Sequence, residues 1–216
     1  MKLNLSSYKT IIFDCDGVLL NSNPIKSNAF FESTKKYGLK NANDLLSYHI
    51  KNGGISRYEK FSYFFTKILN KKYKHDEMRS LLETFSRKVQ DGLLQCEINP
   101  YLKNLKETYS NSLWAVISGS DEKELNCIFK QRNINRLFEL GIYGSPKNKE
   151  ENFLKLSEKD IKEPILFVGD SKYDFEVAKK FNLDFIFMQC WSEYKEWKSL
   201  QKNENFNVIT DFSELL

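Results

Sequence analysis

Four apolar runs of strand length, at 10–13 (TIIF), 113–117 (LWAVI), 164–168 (PILFV) and 184–188 (DFIFM), constrain this chain more than any other feature. Their β-branched and aromatic content reads as strand, and helical patterns separate the later ones. Leu125, Ile128 and Phe129 fall on one helical face, as do Phe175, Ala178 and Phe181. Strand alternating with helix predicts an α/β fold with a doubly wound parallel sheet joined by right-handed crossovers.

The first gap breaks the rhythm. Between Leu20 and Trp114 lie far more residues than one crossover helix needs, and long structureless loops are uncommon in compact domains, so an inserted domain is expected. At 216 residues the chain suits one core domain carrying an insertion. Phe61, Phe64, Phe65, Ile68 and Leu69 make one helical stripe, and Met78, Leu81, Leu82, Phe85 and Val89 make a second that packs on it. A further helix is expected over residues 26–37, ending at Gly38, and another begins at NANDLL. Pro100 then opens a core helix running through Leu105.

The net charge of +4 comes from 33 basic and 29 acidic residues with the lysines scattered, which argues against a nucleic-acid partner. No apolar run is long enough to span a bilayer, and the N-terminus lacks the apolar core of a signal peptide, so a cytoplasmic protein without membrane association is expected. The four cysteines are far apart and suggest neither a zinc site nor a disulfide framework. Cys15 reads as a small residue on the buried side of a strand end. The two histidines, His49 and His75, read as surface or helix-end residues, and the three tryptophans as packing.

In an open parallel sheet, ligands bind beyond the carboxyl ends of the strands. There the first run supplies Asp14 and Asp16, the second Ser118, Gly119 and Ser120, and the third Gly169, Asp170 and, four residues on, Asp174. Carboxylates gathered at one point raise each other's pKa and call for a cation; oxygen-only donors select Mg²⁺, commonly together with a substrate phosphate. SGSDEKE also offers a hydroxyl and backbone N–H groups to an anion at a helix start. Taken alone it is equally a helix N-cap with Ser120 as the cap. GDSKYD is likewise either a site or an Asp- or Ser-capped turn.

FDCDGVLLNS, VISGS, GSPKNK and LFVGDSKYD, in that order, resemble the four motifs of the haloacid dehalogenase superfamily, and the match covers the whole chain. The resemblance implies a Rossmann-like core at residues 1–22 and 99–216 and a helical cap at 23–98. It further implies that Asp14 is the nucleophile, forming an aspartyl phosphate. Asp16 becomes general acid and then base, with its backbone carbonyl helping to bind Mg²⁺. Gly17 turns the chain around phosphate and metal; Ser118 and Gly119 meet the phosphoryl group; Asp170 and Asp174 complete the metal site. A lysine must balance the charge, and Lys149 fits the serine-proline-x-x-lysine spacing better than Lys147. Val18 and Asn21 depart from commoner residues of the motif without touching the nucleophile or metal. Because an acid stands at Asp16, phosphoryl transfer is favoured over the dehalogenase and phosphonatase branches. The function expected from the resemblance is a Mg²⁺-dependent phosphatase of a small phosphorylated metabolite, a sugar phosphate or a phosphoglycolate-like acid, as monomer or homodimer; a sugar phosphomutase, a receiver-like signalling module and a non-catalytic relative are the alternatives.

The cap loop KNGGISRYEKF is the candidate for substrate choice. Gly53 and Gly54 permit a sharp turn. Arg57 and Lys60 either meet an anionic or hydroxylated leaving group or form the solvated face of a helix capped by Ser56.

Overall fold

Burial on both faces explains the apolar runs. Strands β1 (Thr10–Phe13) and β4 (Ile165–Gly169) lie side by side and are buried along their whole length. They form the centre of a sheet completed by β2 (Leu113–Asp121), β3 (Gly141–Ser145), β5 (Asp184–Met188) and β6 (Asn207–Ile209). The computed structural model describes residues 4–159 and 161–216. Among these, the strand order is 3-2-1-4-5-6 with every pair parallel, so the chain winds outward in both directions from β1 and β4. The reversal of winding between β1 and β4 is where such sheets bind ligands.

Two of these strands lie outside the four apolar runs. β3 carries two glycines, and β6 has three residues with an exposed asparagine at its start. Both are edge strands, which need no continuous apolar run because the sheet covers them on one side only. Alternation sorts the central side chains: Ile11 and Phe13 face one apolar cluster with Trp114 and Val116, whereas Ile12 faces the other with Ala115, Ile117 and Phe167.

After β1 the chain builds α1 (Asn23–Thr34), α2 (Leu39–Lys51), α3 (Arg57–Tyr63) and α4 (His75–Gln95) before α5 (Leu102–Thr108) returns it to the sheet. Pro24 in the first turn starts α1 slightly earlier than the apolar pattern suggests, and a tight turn at Lys35–Tyr37 ends it at Gly38. The first aromatic stripe begins on α3 and continues through a wider π-helical turn at Phe64–Ile68. It meets the second stripe through rings: Phe30 lies 5.3 Å from Phe61 and 4.5 Å from Phe85. The two connections between helices and sheet pair with each other. Asn21 N–H donates to the Glu97 carbonyl and Asn99 N–H to the Leu19 carbonyl, both at 2.9 Å, which forms a single joint under the insert.

The sheet continues through α6 (Glu122–Gln131), α7 (Lys149–Ser157), α8 (Lys172–Lys180) and α9 (Trp197–Glu204). Side-chain caps fix the starts of α6, α7 and α8: Asp121, Asn148 and Ser171 each accept from the N–H three residues on. No helix among the described residues is long and apolar enough to cross a membrane.

Phe13 is fully buried and its ring contacts Trp114, Phe138 and Phe212 directly before Asp14. Phe13→Ala is expected to lower unfolding free energy by about 3–5 kcal/mol, read as an earlier urea midpoint at unchanged slope; a loss below about 1 kcal/mol would show that this cluster does not anchor the site.

Candidate active site

The carboxyl ends of β1, β2 and β4 bring the polar residues together. Asp14 follows β1, Asp170 follows β4, and Asp174 stands in the first turn of α8; one carboxylate oxygen from each lies within 4.8 Å of the others, and all three residues are buried. Lys149, the first residue of α7, enters from below. Its ammonium pairs with Asp174 Oδ1 and stands 2.9 Å from Asp14 Oδ1. The approach to Asp14 lacks hydrogen-bond alignment, and that buried oxygen has no other donor. Lys147 is exposed, so the structure places Lys149 and not Lys147 at the cluster.

One buried ammonium does not offset three buried carboxylates. Burial, with Asp174 and Asp16 nearby, pushes Asp14 up to about 7 despite the pull of Lys149. Burial and the same crowding raise Asp170 well above the usual carboxylate range. Lys149 is raised above its ordinary value, because the attraction of Asp14 and Asp174 outweighs its own burial. A carboxylate oxygen whose neighbouring ammonium is not aligned to bond it, together with an excess of buried negative charge, is what a divalent cation would correct, so the residues present fit one. Asp174 is the least free of the three: Oδ2 accepts from the N–H groups of Asp170 and Ser171 and from the Ser171 hydroxyl. The residues GDSKYD thus serve as both cap and site.

Asp16 belongs to a different network. Its carboxylate turns away from the three aspartates to accept from Lys26 Nζ at 2.5 Å, Ser22 Oγ at 2.5 Å and Ser120 Oγ at 2.7 Å. Burial opposes its charge, but the ammonium of Lys26 and these hydrogen bonds outweigh it and hold the carboxyl below its usual range. The side chain of Asp16 therefore stands apart from the candidate metal ligands, and only its backbone remains for that role. Ser120 is not the cap of α6; Asp121 is, which leaves the Ser120 hydroxyl for Asp16. The sequence places Ser120 at this end of the sheet but gives it no partner, and it marks neither Lys26 nor Ser22 as a site residue. The i, i+4 spacing of Ser22 and Lys26 at the exit of the first motif was the available signal.

Gly17 has φ +77°, and a Cβ there would meet Asp170 Oδ2 at 2.1 Å and Asn23 Nδ2 at 2.5 Å. Only glycine lets the chain turn there while Asn23 donates to Asp170 at 2.8 Å. Ser118 is buried and accepts from Ser120 N–H at 3.2 Å. At Gly119 the cap loop closes on the core: a Cβ there would lie 2.1 Å from the Gly54 carbonyl oxygen. The cleft between them has a volume of ≈ 50 Å³, with Asp14, Asp16, Gly119 and Asp170 on the core side and Lys26, Arg57 and Lys60 on the helical side.

The structure decides between the alternatives for Arg57 and Lys60 and places His49 in the last turn of α2, one of the two positions expected of it. Arg57 and Lys60 do not form a solvated face; both are buried. The Arg57 guanidinium grips Glu124 of α6 with two nitrogens and also donates to Ser86, so it ties insert to core. Tyr58 adds a second tie, donating to Asp121 at 2.9 Å. His49 is not at the surface either: it is buried, packs on Phe30, and has Nδ1 2.7 Å from Lys60 Nζ. Periodicity on α2 and α3 is blind to which residue of another helix stands opposite. Cys15 is buried in the apolar core, as expected of its strand-end position.

Residues 11–188 match the family model of haloacid dehalogenase-like hydrolases. No curated protein matches the sequence. Among solved structures, a predicted phosphoglycolate phosphatase from Haemophilus somnus is 20% identical with a TM-score of 0.74, covering 98% of each chain. A predicted phosphatase from Clostridium acetobutylicum is 18% identical at 0.74, covering 97% of each. A beta-phosphoglucomutase from Clostridium difficile is 19% identical at 0.73, covering 97% of this chain and 93% of that one. These likenesses concern the fold.

Replacing Gly119 by alanine should push residues 53–56 off the core. Hydrogen–deuterium exchange of that loop is expected to rise at least about tenfold while α8 stays protected; unchanged exchange would mean that the loop does not rest on Gly119.

Proposed function

The chain belongs to the haloacid dehalogenase-like hydrolase family, and we propose that it is a Mg²⁺-dependent phosphatase hydrolysing a small phosphorylated metabolite through an aspartyl phosphate on Asp14. What carries this reading is the buried group of Asp14, Asp170 and Asp174 around Lys149, with Asp16 on the same cavity wall.

Asp14 attacks phosphorus as the ester P–O bond breaks, and the leaving oxygen takes a proton from Asp16, which has first received that proton from the arriving phosphate monoanion. Water then attacks phosphorus and returns a proton to Asp16, releasing phosphate and freeing Asp14. Lys26, Ser22 and Ser120 hold Asp16 as the carboxylate, the form required to accept the water's proton. A phosphate anion arriving beside it raises its proton affinity, which suits the first step. Ser118 donates to a phosphoryl oxygen, and Lys149 keeps Asp14 aligned and offsets its charge. Asp14 and Asp170 would hold Mg²⁺, with the Asp16 carbonyl contributing and Asp174 in support. When bound, the ion withdraws charge from the phosphoryl oxygens.

Closure of the Gly53–Gly54 loop over Gly119 supports a lid that excludes bulk water.

Phosphate release over a panel of small phosphate esters is expected to require Mg²⁺ and to fall by at least about 10³-fold in Asp14→Asn. Turnover that survives this substitution would remove Asp14 as nucleophile.

A further inference from the structure

The charged groups on the cavity wall are matched with partners except at one point. Lys26 pairs with Asp16, Arg57 with Glu124, Asp14 with Lys149, Asp170 accepts from Asn23, and Glu193 accepts from Ser27. Lys60 is the exception. Only 2% exposed, it has no carboxylate of the described residues within ion-pairing distance. Its Nζ approaches one polar atom, His49 Nδ1, at 2.7 Å, and lies 5.4 Å from the centre of the Phe30 ring. An ammonium carries three donors and no acceptor, so two N–H groups of Lys60 are left over. With Lys60 donating to Nδ1, the hydrogen of His49 sits on Nε2, and that buried atom has no partner either. Both residues line the cavity that holds Asp14 and Asp16.

We propose that Lys60, positioned by His49, receives an anionic group on the leaving alcohol, so that the substrate is a small phosphate ester whose alcohol carries its own acid, such as a phosphorylated hydroxy acid. This rests on the phosphatase reading of the same site. The physical reason is the cost of an unpaired buried charge, which an incoming carboxylate offsets and an uncharged alcohol does not. Burial and the neighbouring Lys26 push Lys60 down to about 7 in the absence of such a partner. Arg57, the residue first considered for this role, is already committed to Glu124.

The matched probes are 2-phosphoglycolate and ethyl phosphate, which differ by a carboxylate in place of a methyl. The wild-type protein with Mg²⁺ is expected to prefer the acid by about 10- to 100-fold in kcat/KM. In Lys60→Met that ratio should collapse toward one, and Lys60→Arg should keep part of it. Lys60→Met should also unfold at a temperature no lower than wild type, since it removes an unpaired buried charge; this separates loss of recognition from loss of fold. Calorimetric titration of Asp14→Asn protein with the same pair reads the preference without turnover. A preference abolished by Lys60→Met in binding, with neither ester hydrolysed by wild type, would keep the anion site and discard the phosphatase. Hydrolysis of both esters at a ratio unchanged by Lys60→Met would discard the anion site and keep the phosphatase.

Discussion

The placement of one lysine between two buried aspartates governs the rest of the site. Lys149 could not be buried without Asp14 and Asp174, nor could those carboxylates share a dry pocket without it. Its position follows from the capping box of Asn148 and Glu151, which starts α7 where the first side chain reaches under β1. Asp174 follows from a similar box at α8, where Ser171 caps and Asp174 accepts. The charges are thus oriented by helix starts, and the parallel sheet brings those starts to one edge.

A second, separately wired charge network stands beside the first. Asp16 is two residues from Asp14 yet answers to Lys26 and the hydroxyls of Ser22 and Ser120. The two aspartates that close the first strand therefore have opposite tendencies: burial pushes Asp14 up, whereas Lys26 and its hydrogen bonds hold Asp16 down. Lys26 belongs to α1, the first helix of the insert, so the insert supplies the ammonium that holds Asp16 charged.

Much of the sheet and most of the core cluster were legible in the sequence. Strands buried on both faces must be apolar throughout, and the residues just after them are set by chain order, which is why Asp14, Ser118, Asp170 and Asp174 emerged from spacing and resemblance. Lys149 emerged from the resemblance, which calls for a lysine at that spacing after Pro146. What stayed hidden depends on contacts between helices far apart in sequence. Arg57 was visible as a cation, but its partner Glu124 lies across the cap–core boundary. Lys60 and His49 read as polar positions on separate helices, and only their packing against Phe30 buries them together. The edge strands β3 and β6 were hidden for the opposite reason, since they are covered on one side and carry no strong apolar signal.

The cluster of Asp14, Asp170 and Asp174 holds more buried negative charge than Lys149 balances, and a divalent cation would complete it. Equilibrium calorimetry of metal-stripped protein with Mg²⁺ tests it most directly. The account predicts saturable binding of about one ion per chain, weakened at least about 100-fold in Asp170→Asn. Absence of saturable binding to the wild-type chain, or equal affinity in Asp170→Asn, would contradict it.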